Sequence, residues 1–204
     1  MSNSKTFTCI GSRGTPEEIN QLLEDICYEL FRLGFIGVSG GCDEGPDNSL
    51  TNALIRAIED FGVKGVLMAE IYIPWRKARK LTHGELGEAV INAQYLDNYP
   101  EARWIAEKIH PAWDKMQDSG RDLHSRNPYQ ILRHDLESPT GMVITYCPKT
   151  KSGNYKGGTA TALTLAEAWF VPVVNAYLPN DLKRLRDMLE KLRDAKGVYS
   201  IKKK

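Results

Sequence analysis

The sequence has no apolar run approaching the ~20 residues that span a bilayer, and its polar start, Met1 to Lys5, has no apolar leader segment behind it. Both absences predict a cytoplasmic protein with no membrane partner. An excess of charge of one sign is missing too. Lys and Arg number 27 against 26 Asp and Glu, leaving +1, so any nucleic acid must meet a local patch rather than a whole-molecule basic field. Cysteines are few and scattered: Cys9, Cys27, Cys42 and Cys147 form no C-x-x-C and no Cys/His pair at metal-ligand spacing, which argues against zinc or another metal. Cys9 and Cys27 fall in apolar patterns and read as small buried hydrophobes. Cys42 lies in a glycine-rich loop, but no His or basic residue adjoins it to activate the thiol. G-x-G-x-x-G is absent after the first strand and G-x-x-x-x-G-K-[ST] is absent throughout. These absences weigh against NAD-type redox chemistry and P-loop hydrolysis, and no cofactor is expected.

With 42% hydrophobic and 26% charged residues over 204 positions, the chain reads as one domain spanning 1–204, able to bury roughly two thirds of its unfolded surface. Thr6 to Ile10 is β-prone and stops at Gly11-Ser12-Arg13-Gly14. Thr15-Pro16-Glu17-Glu18 then combines an N-cap, a proline at the first helical position and a capping-box Glu. Ile19, Leu22, Leu23, Ile26, Leu30 and Leu33 are spaced by threes and fours, and Gly34 is placed to close that helix in a left-handed cap. Phe35 to Val38, the loop Ser39 to Gly45 and a helix from Pro46 to Gly62 repeat the unit. Gly65 to Ala69 with Ile71 to Ile73 is apolar enough for a parallel strand buried on both faces. Residues 74–136 read as a helical insertion, with helices over Ala89 to Leu96 and Ala102 to Ile109 and breaks at Asp118-Ser119-Gly120 and Asn127-Pro128. Gly141 to Tyr146 and Val171 to Val174 resume the strands around an Ala-rich helix over Thr159 to Phe170. Leu182 to Leu192 makes the last helix, and residues 200–204 make a solvated basic tail. Strands alternating with helices define an α/β, Rossmann-like, doubly wound and mostly parallel sheet.

In such a sheet, ligands sit beyond the carboxyl ends of the strands, where strand order reverses. The glycine loops all fall there. In the first, Gly11, Ser12 and Arg13 precede a helix start, so backbone N–H groups, a hydroxyl and a guanidinium can cradle phosphate; the same glycines also make a tight turn. In the second, Ser39, Gly40 and Gly41 lie beside Asp43 and Asp47, which suits a sugar hydroxyl next to a phosphate, and equally a loop that binds nothing. In the third, Gly157 and Gly158 lead into Thr159 and Thr161 at another helix start. Arg126 and Asn127 either face the ligand from the insertion or fix a turn. Tyr146 either stacks on a base or covers the sheet edge. Trp75-Arg76-Lys77-Ala78-Arg79-Lys80 either pairs a stacking ring with phosphate contacts or forms a solvated helix start. His83, His110, His124 and His134 have no nucleophile at a fixed offset and read as surface or satisfied histidines.

Gly11-Ser12-Arg13 with Ser39-Gly40-Gly41, Gly45 and Asp47, then Gly157-Gly158-Thr159, resembles the SLOG superfamily over most of the chain in order. This group includes the Smf/DprA DNA-processing proteins and the LOG phosphoribohydrolases. The segment His124 to Gln130 is similar to the Arg-Asn segment of small stand-alone, phage-type members. The resemblance implies a Rossmann-like fold, homo-oligomers (dimers or tetramers) and a pocket for a small-molecule nucleotide ligand. Three activities follow from it. One is sensing or sequestering of a nucleoside phosphate or a cyclic ADP-ribose-like signal. Another is LOG-like hydrolysis of a nucleoside 5'-monophosphate, and a third is DprA-like binding of single-stranded DNA. The LOG motif GG-x-GT-x-x-E, laid on Gly157 to Thr161, puts its glutamate on Thr164 and its third glycine on Ala160. Glu167 follows one turn later, about 4.5 Å further along the axis.

Overall fold

A computed structural model describes residues 5–76, 78 and 86–202. Strand β1 (Thr6–Gly11) runs through the middle of the sheet, so Phe7, Thr8, Cys9 and Ile10 are all buried. Helix α1 (Glu17–Arg32) begins after Pro16, one residue later than the sequence predicts. The Thr15 hydroxyl donates to Ser12 O at 2.6 Å instead of capping the helix. Gly34 closes α1 at φ +77, with Phe35 N donating back to Leu30 O at 3.0 Å. Strand β2 (Ile36–Ser39) is followed by α2 (Pro46–Phe61), which ends in the expected left-handed cap at Gly62.

The insertion departs from its predicted reading. Gly65–Leu67 is a single 3-10 turn with Val66 and Leu67 exposed, so β3 covers only Ala69–Ile73. Apolarity alone does not separate a buried strand from the turn that leads into it. Residues 89–96 are not a helix: Val90–Asn92 forms β4, which pairs in parallel with the outer edge of β3. A ladder along an open strand edge outweighs the weak helical spacing of a short segment. Helix α3 (Tyr99–Ile109) ends as predicted but starts three residues before the expected Ala102, and the two expected breaks are helix starts. Asp118 opens α4 (Asp118–Ser125), and Pro128 sits in the first turn of α5 (Asn127–Leu132), where a missing N–H costs nothing. Strand β5 (Val143–Tyr146), α6 (Ala160–Ala168), β6 (Val173–Asn175) and α7 (Pro179–Asp194) complete the chain.

The six strands form one all-parallel sheet in the order β4-β3-β2-β1-β5-β6, an α/β Rossmann-like fold. Alternation along each strand divides the core between the two faces. Phe7, Cys9, Ile71 and Ile144 pack under α1, α2 and α7, while Ile10, Tyr72 and Val143 pack under α3, α5 and α6. Among the described residues no helix is long and apolar enough to cross a membrane. The end of the chain is held rather than frayed as far as Lys202. Val198 and Tyr199 donate to Arg32 O, Tyr199 stacks on Phe61, and Lys202 N donates to Asp60 O at 2.8 Å. Lys203 and Lys204 lie outside the described residues.

From β1 the chain adds β2, β3 and β4 on one side and then returns to place β5 on the other, so strand order reverses between β1 and β5. The loops after these strands diverge and leave a crevice. The loop after β2 crosses close under the loop after β1 at Gly45, whose φ of +69 and ψ of −156 belong to a region open only to glycine. A side-chain carbon there would also strike Ser12 O. Gly45→Ala is expected to destabilise the fold by about 3 kcal/mol or more. Gly153→Ala, at φ +86 with nothing within 4 Å, is expected to cost about 1 kcal/mol. Urea denaturation of the two variants measures the difference, and equal losses would contradict the close crossing.

Candidate functional site

The floor of the crevice holds two opposite charges, the buried Asp47 and the partly buried Arg126. Asp47, in the first turn of α2 and 4% exposed, accepts from three donors. Its Oδ2 takes Gly11 N at 3.2 Å, and its Oδ1 takes Gly40 N at 2.9 Å and Ser39 Oγ at 3.1 Å. Burial raises the Asp47 carboxyl above its ordinary value, opposed first by Arg126 and then by those donors. Burial likewise lowers the Arg126 guanidinium, opposed by Asp47. Each charge offsets the cost of desolvating the other, and hydrogen bonds satisfy what remains.

Arg126 stands at the junction of α4 and α5 and reaches across the strand ends. Its Nη1 donates to Gly40 O and, at 3.2 Å, to Tyr72 O, and its Nε donates to Asn127 Oδ1 at 3.0 Å. Gly40 is bare for this reason: a Cβ would occupy the space of the Arg126 guanidinium and the Gln130 amide. Asn127, buried, passes the connection on by donating from Nδ2 to Gly158 O at 3.1 Å. The Thr159 hydroxyl then donates to Gly11 O at 3.0 Å. Gly11, Asp47, Gly40, Arg126, Asn127 and the Gly158–Thr159 step thus form a closed circuit that ties all three glycine loops together.

Above this circuit lies a cleft of about 330 Å³ at the β1/β5 switch point. From the first loop it is lined by Gly11, Ser12 and Arg13, and from the third by Lys156 to Thr159, with Asp47, Arg126 and Asn127 between them. Nothing lies within 4 Å of where a side chain would begin at Gly157 or Gly158, so the third loop presents bare backbone to the cleft. Arg13 is exposed, as is Lys156. Neither side chain has a hydrogen-bond or ion-pair partner among the described residues. Two cations without internal partners beside bare loop backbone and the start of α6 can take an anion.

The remaining predicted residues are placed differently. Ser39 is buried beneath the second loop, bonded to Asp47 and, through its hydroxyl oxygen, to Gly41 N. Gly40, Gly41 and Asp43 line an adjoining lobe rather than the cleft. Thr161 is turned away, with its hydroxyl hydrogen-bonded to His124 Nδ1 at 2.9 Å. The Tyr146 ring packs into the core of the opposite face and meets Tyr177 edge-on at 5.7 Å, so it covers the sheet end and does not line the cleft. Only its carbonyl serves the site, accepting Ser12 N at 2.9 Å. Thr164 and Glu167 line a separate cavity, where Glu167 Oε1 accepts the Tyr155 hydroxyl at 2.7 Å. Cys9, Cys27 and Cys147 are buried, Cys42 is partly exposed at the cleft, and all four are free thiols. Among the described residues no group of three His, Cys, Asp or Glu side chains stands together as a metal site. Lys77, Arg79, Lys80 and His83 lie outside the described residues.

Sequence reasoning assigned no ligand contact to Lys156, Gln130 or Leu123, all of which line the cleft. Lys156 carried a usable signal, since it immediately precedes the third glycine pair, and Gln130 closes the segment that resembles the Arg-Asn segment. Leu123 carried none, because its orientation depends on how α4 docks.

Compared with known proteins, the chain matches no family model, no curated sequence and no solved structure.

Two measurements test this arrangement. Asp47→Ala strips the Gly11 and Gly40 amides and the Ser39 hydroxyl of their acceptor. It is expected to cost about 3 kcal/mol in chemical denaturation, the scale of buried donors left unsatisfied. His124 is the second case. Burial first, then His110 and Arg126, depresses its pKa from 6.5 to about 4. Between those values the unfolded chain binds a proton that the folded chain refuses. Stability therefore falls as pH drops through 6.5 toward 4, by up to about 3 kcal/mol. His124→Asn, which keeps a hydrogen-bonding group near Thr161 but cannot titrate, should flatten the stability profile over that window.

Proposed function

We propose that the cleft captures a nucleoside phosphate or a nucleotide-derived signalling molecule of the cyclic ADP-ribose-like kind, and that the protein works as a sensor or sequestering protein. The observation that carries this reading is the pair Arg13 and Lys156, two cations without internal partners at one crevice, beside the bare backbone of Gly157 and Gly158. Phosphate is the group that such a set suits, because it accepts a forked guanidinium, an ammonium and backbone N–H bonds at once. Arg126 contributes a fixed positive charge from below, and the circuit through Asp47 and Asn127 holds the loops in place before any ligand arrives, which lowers the ordering cost of binding. The resemblance to the SLOG superfamily belongs to the same reading.

Capture is favoured over glycosidic hydrolysis by the carboxylates. At the cleft, Asp47 is occupied by three donors. Glu167, the nearest stand-in for a LOG-type glutamate, belongs to a different cavity and is bonded to Tyr155. A general acid or base needs hydrogen-bond reach to the reacting atom.

Isothermal titration with nucleoside monophosphates tests the proposal. Arg13→Ala is expected to weaken binding by ~1.5–3 kcal/mol, the range for a charged hydrogen bond, with an unchanged thermal midpoint because Arg13 is exposed. Unchanged affinity in a folded variant removes the phosphate assignment. Release of free base and ribose 5-phosphate from the same mixtures would replace capture by hydrolysis.

A further inference from the structure

The cleft does not end at Arg126. A second lobe of about 300 Å³ shares Arg13, Cys42, Leu123 and Arg126 with it and extends beyond the end of β3, where Trp75 forms part of the wall. The two volumes therefore make one trough with the Arg126 guanidinium at its waist, and the trough changes character along its length. The cleft end carries Lys156 and bare glycine backbone. The far lobe has instead the half-buried indole of Trp75, the apolar Pro74 and Ala78, and the carboxylates of Asp43 and Glu44. The two carboxylates offset the charges of Arg13 and Arg126 there, so the far lobe suits an anion less well than the cleft end does. An indole face beside them suits a flat ring that carries N–H donors.

From this polarity we infer that the far lobe is a base subsite and that it selects guanine. The Glu44 carboxylate is an acceptor only, with two oxygens side by side. Guanine offers the matching edge, a ring N–H next to an exocyclic amino group, so both oxygens are engaged in parallel hydrogen bonds. Adenine and cytosine set one amino group beside an acceptor nitrogen, which faces the second oxygen with like polarity, and uracil sets its single N–H between two carbonyls. Trp75 supplies the stacking face expected of Tyr146, whose ring lies on the other side of the sheet. The trough so read takes a guanine nucleotide, phosphate toward Gly157 and base toward Trp75. The orientation rests on the phosphate reading of the cleft, whereas the lobe itself can be probed without phosphate.

The experiment titrates the intact protein with GMP, AMP, ribose 5-phosphate and guanosine. The expected result is that GMP binds roughly tenfold or more tighter than AMP or ribose 5-phosphate, the scale of one stacked and hydrogen-bonded base. Trp75→Ala should reduce GMP to the level of ribose 5-phosphate and leave ribose 5-phosphate unchanged, while Trp75→Phe keeps most of the GMP affinity. Glu44→Gln should narrow the gap between GMP and AMP. Equal binding of GMP and AMP, or GMP affinity indifferent to Trp75→Ala, overturns the base subsite. Failure of the phosphate reading looks different. Ribose 5-phosphate then does not bind and Arg13→Ala leaves GMP unaffected, while guanosine still binds in a Trp75-dependent way.

Discussion

The opposite charges of Asp47 and Arg126 are the constraint around which the carboxyl end of the sheet is arranged. Asp47 is buried and Arg126 partly so, and each draws its hydrogen bonds from the loops around it rather than from the other. The carboxylate needs the amides of Gly11 and Gly40, and the guanidinium needs the carbonyls of Gly40 and Tyr72 and the side chain of Asn127. Those demands recruit backbone from the ends of β1, β2 and β3 and, through Asn127, from the loop before α6. Glycine loops of this length would otherwise sample many conformations at little cost. Here their backbone groups are consumed by two side chains, so the loops are ordered by electrostatics from beneath rather than by hydrophobic packing.

This arrangement divides the basic residues of the site into two kinds. Arg126 is spent on structure, with its hydrogen bonds directed at the protein's own carbonyls and Asn127. Arg13 and Lys156 are exposed and unpaired by hydrogen bond or ion pair among the described residues. A basic residue near these glycine loops thus carries two quite different meanings, and only its partners in the fold distinguish them. The same division runs through the polar residues, since Ser39, Asp47, Asn127 and Thr161 serve as internal connectors while the glycines around them supply the accessible surface.

The α/β architecture was legible because its signals are local and repeated. Gly34 and Gly62 end the first two helices where their left-handed conformation requires glycine, and the apolar runs of β1, β2 and β5 are buried on both faces. The failures share a cause. Val90 to Asn92 becomes a strand because β3 offers it an edge, and Asp118 and Pro128 open helices because of what α4 and α5 pack against. The strand edge leaves no mark near Val90, whereas an acidic residue or a proline fits a helix's first turn as well as it fits a break, so Asp118 and Pro128 read either way. Site residues follow the same rule. Gly11 to Arg13 and Gly157 to Thr159 were readable from a loop at a strand end, and Arg126 and Asn127 from a polar cluster in the insertion. The orientation of Tyr146 and Thr161 was not, since a strand-end or helix-start residue faces either side according to a register set by distant partners.

The register of β1 against β5 also has a kinetic side. Thr8 to Gly11 pairs with Val143 to Tyr146 across more than half the chain, so closing that ladder carries a large loop entropy and comes late relative to the neighbouring β1–α1–β2 unit. The cleft exists only once it has closed, since one wall belongs to each strand. An occupied cleft is therefore a report that both halves of the sheet have joined, and a ligand resident there holds the crossover shut by mass action.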